Sequence, residues 1–353
     1  MSTAEFHPTT AQNQNFIPME VVRCFKMKRI GLAFNDEISL KEAARLTKLA
    51  EKRDFDSIWV YEDYYYRDAI SRMAYLATVS EKIKLATGVV NPHTRSPPLL
   101  AMTFATLDEL SNNRSILGIG PSARLWLYEK HRPVLKQMTI LKECVEIFRK
   151  LTSGEKVNYK GHYYDIQNIQ LGMTPNRDQI PVYFGVMGPK MLQLAGKMAD
   201  GVLLTAGATP EYAEWTLEQI KIGAEKSGRK PSEIDLASLI MISVVEDDEA
   251  EMDSLRREVA FLVLLPQFDP ILKLSGLDGF DSIDGIREAG RRGDIEGAAK
   301  LVPDELMEKM AIYGTKKECR RKLRAFQNAG VNLPILVPHG GMSSIENVIK
   351  AMS

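Results

Sequence analysis

Short apolar runs rich in β-branched residues recur along the chain. Each is followed by a stretch whose apolar positions fall three and four apart, the spacing that buries one face of a helix. "KRIGLAF" (28–34) is the first run, and "SLKEAARLTKLAEKRDF" follows with Leu40, Ala43, Ala44, Thr47 and Ala50 along one face. Ser39 and Glu42 stand ahead of that helix as a capping box, each side chain satisfying a free backbone donor. Further strands are predicted at 56–62, 82–90 ("KIKLATGVV") and 114–120, with helices at 68–79, 97–110 and about 136–152. Between 155 and 172, aromatic and β-branched alternation around Lys160-Gly161 predicts a small hairpin outside the repeat.

The alternation then resumes. "IPVYFGV", "DGVLLTA" and "IDLASLIMISVV" (234–245) read as strands five to seven, and Thr209-Pro210 opens a helix as cap and first-turn proline. A long helical stretch runs to about 265, and residues 267–305 read as an irregular insertion. "TKKECRRKLRAFQNAG" is the last main helix expected and "NLPILVP" the eighth strand. Eight evenly spaced strand–helix units predict an α/β fold, a (β/α)8 TIM barrel with an insertion between strands seven and eight, over a doubly wound open sheet. The barrel is expected over residues 27–353, after a polar extension at 1–26 that is either a flexible tail or an arm packed on a partner subunit.

Composition narrows the function. Lys+Arg and Asp+Glu both number 46, so no net charge marks a nucleic-acid or anionic-membrane partner. Three scattered cysteines fit a reducing, cytoplasmic compartment better than a disulfide framework. The longest apolar run, "VAFLVLLPQF" (259–268), is interrupted by Pro266 and falls short of the ~18 residues of a membrane span. The five histidines have no metal-ligand spacing, and no Walker loop or nucleophile elbow is present. No metal is therefore expected.

In such a barrel the site lies at the C-terminal strand ends. That filter selects Asn35, Asp36 and Glu37 after strand one, and Glu62, Asp63, Tyr64, Tyr65 and Tyr66 after strand two. After strand three come Asn91, His93, Thr94 and Arg95, where "TGVVNPHTRSPP" (87–98) stops a core strand abruptly. Pro121, Ser122, Ala123 and Arg124 follow strand four, and His339-Gly340-Gly341 closes the ring. Each has an ordinary structural use: acidic residues cap helices, Arg95 pairs with a rim carboxylate, tyrosines form interfaces. "GIGPSA" (118–123) fits G-x-G-x-x-A, but no acid-terminated strand follows, so a Rossmann site is rejected. In "GVMGPKMLQLAG" (185–196), Gly188-Pro189 at a helix start and Lys190 beside it favour an anion such as phosphate.

"AEKRDFDSIWVYED", the segment from "TGVVNPHTRSPP" to "SILGIGPS", "GPKMLQLAGKMADGVLL" and "YGTKKECRRKL" together resemble the bacterial luciferase-like superfamily. They are most similar to its deazaflavin-dependent branch of methylenetetrahydromethanopterin reductases. The resemblance implies coenzyme F420, or FMN as the alternative, and hydride exchange with a tetrahydropterin methylene group or a related carbon. It implies a homodimer or higher homo-oligomer. It also implies a non-proline cis peptide at Gly88–Val89, with Val89 and Val90 as an apolar floor under the cofactor ring. Asn91, Thr94 and the turn Val186, Met187, Gly188, Pro189 and Lys190 would be cofactor contacts, the last toward phosphate. Against the family pattern, Asp63 stands for a usual histidine, Ala123 for a usual acid, and Ser96 for the histidine of T-R-H-P. Glu62 and Asp63 are then the residues in place to handle protons. An FMN-dependent monooxygenase and a non-catalytic cofactor-binding barrel are the rival readings.

Overall fold

The alternation of strands and helices closes on itself in the computed structural model, which describes residues 29–34, 38–63, 66–121, 136–244 and 249–353. The first half runs β1 (Gly31–Phe34), α1 (Leu40–Lys52), β2 (Ser57–Val60), α2 (Ala69–Val79), β3 (Lys84–Thr87), α3 (Pro97–Ser111), β4 (Ser115–Ile119) and α4 (Gln137–Thr152). A two-stranded hairpin, β5 (Val157–Lys160) and β6 (Asp165–Ile169), interrupts it as expected. The ring continues through β7 (Val182–Phe184), α5 (Pro189–Met198), β8 (Gly201–Leu204), α6 (Pro210–Glu225) and β9 (Asp235–Val244). Next come α7 (Glu249–Leu264), α8 (Asp269–Leu274), α9 (Ser282–Arg291), α10 (Ile295–Lys300), α11 (Asp304–Met310) and β10 (Ile312–Gly314). The chain ends with α12 (Lys316–Asn328), β11 (Leu333–Pro338) and α13 (Met342–Met352).

The parallel order β9-β11-β1-β2-β3-β4-β7-β8 returns to β9 through the β8–β9 pairing, which makes the eight-stranded TIM barrel. Strand side chains alternate between two cores. Leu32, Phe34, Ile58 and Val60 point outward against the helices. Ala33, Trp59, Ala86, Ile116, Tyr183, Leu203, Ala237 and Ile335 fill the barrel. Trp59 on β2 meets Tyr183 on β7 edge-on at 5.3 Å, a contact between non-neighbouring strands made across the interior. Ions close the N-terminal end: Arg29 pairs with Asp56 and Asp235, and the Tyr183 hydroxyl donates to Asp235.

Two expectations are corrected. Residues 267–305 are not irregular; they form most of the helical run α8–α11, with Ile271, Ile283, Ile286, Ala298 and Leu306 buried. Helices of six to ten residues rich in Gly, Asp and Arg are too short to show a period. The chain also does not close on strand eight: α13 follows, burying Ile345, Val348, Ile349 and Met352 at helical spacing. The capping boxes at Ser39 and Thr315 and the Thr209 cap are all formed. The extension at 1–26 lies outside the described residues.

Candidate active site

The abrupt stop after β3 is a bulge. Gly88 N–H still donates to the Val60 carbonyl at 2.6 Å, Val89 stands out of register, and Val90 rejoins the ladder against Ile119. Val90 N–H reaches the Gly118 carbonyl at 3.0 Å, and the Val90 carbonyl accepts from Gly120 at 2.9 Å. Both ladders are satisfied with a trans peptide, so the cis bond implied at Gly88–Val89 is corrected. Tyr61, not the peptide, requires the glycine: a Cβ at Gly88 would meet its ring at 2.4 Å.

The two valines part company, as strand periodicity demands. Val90 is fully buried in the outer core, so the two-valine floor is corrected to one. Val89 turns inward with Tyr61 and Ala206 at the top of the barrel interior. Its side chain fills the space left by two glycines: a Cβ on Gly185 would meet Val89 Cγ1 at 2.5 Å, and one on Gly120 would meet Val89 Cγ2 at 3.4 Å. The β3–β4–β7 side of the mouth is thus smooth, with one isopropyl group between two bare backbones. Gly120 and Gly185 directly follow β4 and β7 within "RSILGIG" and "IPVYFGV"; a glycine just past each of two neighbouring parallel strands is the signal that hydrophobicity alone does not show.

After the bulge, Asn91 Oδ1 accepts from the backbone of His93 at 3.0 Å and Thr94 at 3.1 Å, an Asx-type turn that fixes the loop. Asn91 is buried and Thr94 exposed. The Tyr164 hydroxyl of the hairpin donates to the Pro92 carbonyl at 3.2 Å. Arg95 then reaches back to the loop after β2. Its Nε and Nη2 donate to the two oxygens of Glu62 at 2.9 and 2.6 Å, and Nη2 also pairs with Asp68. The bond to Glu62 raises the Arg95 pKa above its ordinary value, with burial opposing.

Continuing β7, Val186 is buried in the outer core, whereas Met187 stays partly open. Gly188 adopts φ 79° and ψ 150° as the N-cap of α5, a conformation reserved for glycine, with open space where a Cβ would be. Pro189 and Lys190 at the helix start are exposed. Beneath them lies the Tyr212 hydroxyl, fully buried, with the Gly188 backbone N–H beside its oxygen and no acceptor for its own proton. Burial pushes this phenol up to about 12. Tyr212 was missed in the sequence because it sits in the first turn of a different helix.

On the other side of the mouth, His339 follows Leu333, Ile335 and Val337 in the inward register of β11. Its Nε2 is buried without a partner, and burial lowers its pKa to about 4. Asp63 lies in the loop after β2, partly buried. Of the other candidates, Tyr66, Gly340 and Gly341 are exposed on the rim. Asn35, Asp36, Glu37, Tyr64, Tyr65, Ser122, Ala123 and Arg124 lie outside the described residues.

This mouth, at the C-terminal ends of a parallel barrel, sits in a chain that matches the luciferase-like monooxygenase family over residues 22–333. The chain belongs to that family. A 5,10-methylenetetrahydromethanopterin reductase of Archaeoglobus fulgidus is 34% identical over 307 residues, 86% of this chain and 91% of the relative. An F420-dependent glucose-6-phosphate dehydrogenase of Nakamurella multipartita is 28% identical over 300 residues, 79% and 84% of the two chains. The solved coenzyme F420-dependent tetrahydromethanopterin reductase of Methanopyrus kandleri superposes with a TM-score of 0.82 at 28% identity, covering 92% of this chain and 97% of that one. Within the luciferase-like family, the chain is thus related to F420-dependent oxidoreductases. No helix among the described residues is long and apolar enough to cross a membrane.

Proposed function

We propose that this chain is an F420-dependent oxidoreductase, with the barrel mouth as its active site and a one-carbon unit on a tetrahydropterin as its substrate. One juxtaposition carries the reading. The smooth surface of Val89, Gly120 and Gly185 is joined through β7 to the anion-binding turn at Gly188–Lys190. A planar heterocycle fits the first, and a phosphate on its tail fits the second. The fit is chemical as well as steric: an oxygen of that phosphate would accept a hydrogen bond from the buried Tyr212 hydroxyl, whose proton has no acceptor in the protein's described residues. The helix N-terminus and Lys190 supply the charge. Relatives named as methylenetetrahydromethanopterin reductases support the pterin over a sugar phosphate, since the relative named as a glucose-6-phosphate dehydrogenase has the lower identity.

The coenzyme, when bound, supplies two-electron hydride chemistry at a ring carbon. The chain's own residues do the rest. Val89 would back the ring and Met187 would lie beside it, while Val90 and Val186 hold those positions from the outer core. Asn91 fixes the loop that carries Thr94 to the rim. Glu62, held at both oxygens by Arg95, fixes the loop after β2 that carries Asp63. The same reading makes the chain a homodimer through the α2–α3 side, where Tyr75, Leu99 and Met102 are exposed.

Titration with F420 and separately with FMN, followed by cofactor fluorescence, tests the reading. Selective F420 binding and oxidation of its reduced form by methylenetetrahydromethanopterin is the expected result. FMN binding with oxygen uptake would favour the monooxygenase instead. F420 binding with no turnover on any pterin or carbonyl acceptor would favour a cofactor-binding barrel.

A further inference from the structure

Helix α7 is tied near both ends to segments at the open end of the barrel. Near its start, Glu251 bonds Ser243 at the end of β9 and Ser344 in α13, and a Cβ on Gly340, just past β11, would meet the Glu251 carboxyl at 2.8 Å. Near its end, Leu262 presses on Gly207 in the turn after β8, 2.7 Å from where a Cβ would be. Its 16 residues, about 24 Å long, therefore run across the β11–β9–β8 sector of the open end. Glu251, Leu255, Glu258 and Leu262 are spaced four, three and four apart, so they form one stripe on the side facing the barrel.

Three of those side chains are anchored: Glu251 by its two serines, Leu255 in the core and Leu262 at the β8 turn. The fourth, Glu258, makes no hydrogen bond or ion pair among the described residues. The charge that acts on it is that of Asp63, in the loop after β2, added to the effect of its burial. In the ring of eight, β2 lies opposite β8, so the Asp63 charge acts on Glu258 from the far side of the mouth. The cations of α7 turn away: Arg256 pairs with Asp304 and Asp253, and Arg257 with Glu296. On the β11 side the titratable group is His339, neutral in its buried position.

We propose that Glu258 is the proton donor of the reaction in this mouth, poised by Asp63, a role that rests on the oxidoreductase reading above. Burial, with the Asp63 charge adding to it, raises the Glu258 pKa above the ordinary glutamate value, which keeps a proton available for donation. Reducing a methylene bridge between two nitrogens breaks one C–N bond. The bonding pair stays on nitrogen and takes the Glu258 proton, and the carbon takes a hydride from the reduced deazaflavin. The coenzyme gives up one hydride and one ring proton in all, and that proton restores the Glu258 carboxyl through water. Glu258 thus supplies the acid that neither Ala123 nor the doubly bonded Glu62 offers.

Infrared difference spectroscopy of the protonated carboxyl stretch, wild type against Glu258→Gln, reads the proton without any ligand. The stretch should titrate above the ordinary glutamate range, and Asp63→Asn should move its midpoint down. Glu258→Gln should bind F420 as the wild type does, while turnover with reduced F420 and methylenetetrahydromethanopterin falls about 100-fold or more and loses its basic limb in the pH profile. An ordinary Glu258 titration unmoved by Asp63→Asn would overturn the proposal, as would wild-type turnover in Glu258→Gln. If the wild type fails to bind F420, the oxidoreductase reading falls and the donor role with it. That failure is recognisable because the ligand-free titration still reports whether the two acids interact.

Discussion

Arg95 holds both carboxylate oxygens of Glu62, tying the loop after β3 to the loop after β2. Only 19% and 11% of the two side chains are exposed, so the pair is shielded enough to matter. Removing the guanidinium leaves Glu62 buried and unpaired. Arg95→Ala should cost about 2–3 kcal/mol and lower the melting temperature by several degrees. Arg95→Lys should recover little, because an ammonium cannot serve two oxygens in one plane. Asp68→Asn, at the exposed end of the network, should cost under about 1 kcal/mol. A double-mutant cycle over Arg95 and Glu62 with thermal melts checks the assignment, and coupling near zero would refute it.

A second prediction concerns the smooth side of the mouth. Gly185→Ala should destabilise by about 1–3 kcal/mol, because its Cβ runs into Val89. Val89→Ala in the same chain should restore most of that loss, since the clash is with a side chain. Gly120→Ala meets the Gly185 carbonyl at 2.5 Å, and no side-chain deletion relieves a backbone clash. Denaturant melts of the glycine variants with and without Val89→Ala separate the two cases. Rescue of Gly120→Ala by Val89→Ala would contradict this packing.

How much of this was legible in the sequence follows from range. The eight strands and their order were, because a strand buried on both faces shows as an apolar run within a few residues. So were the caps at Ser39 and Thr209, which act over three residues. The inward or outward facing of Val89 and Val90 was not, since one bulge residue inverts the alternation. Nor was Glu258: nothing in "SLRREVAFL" distinguishes it until α7 is tied to the open end of the barrel, where burial and the Asp63 charge act on it. The Arg95–Glu62 pair spans 33 residues, and the sequence offered it as one bland alternative among several.

The anion turn yields a third prediction. Gly188→Ala should cost about 1–3 kcal/mol through its φ of 79° alone, with no clash to relieve. Lys190→Ala should leave stability unchanged and weaken F420 binding about three- to tenfold at low salt, an effect that fades as salt rises. Tyr212→Phe separates holding the phosphate from holding the fold. Deleting a buried hydroxyl whose proton has no acceptor should change the stability of the coenzyme-free protein little, yet weaken F420 binding. A Tyr212→Phe variant with unaltered affinity would place the phosphate elsewhere.

The fourth prediction is the effect of pH through His339. Burial holds its pKa at about 4, against the ordinary 6.5 of the unfolded chain. Above pH 6.5 both states are neutral and the residue makes no pH-dependent contribution. As pH falls from 6.5 toward 4, the unfolded chain takes up a proton that the folded barrel refuses, so stability is lost across that window and levels off below it. The loss should reach a few kcal/mol, since each pH unit of that window removes about 1.4 kcal/mol. Glu258 acts in the opposite direction. Its raised pKa means that ionisation costs the folded state, so Glu258→Gln should gain stability over wild type as pH rises through the folded value and match it in acid. Melting temperatures of wild type, His339→Gln and Glu258→Gln, followed from about pH 4 to about pH 8, should therefore diverge at opposite ends of the range. A wild-type minus His339→Gln difference that stays flat between pH 6.5 and 4 would mean that the imidazole charges freely in the folded mouth.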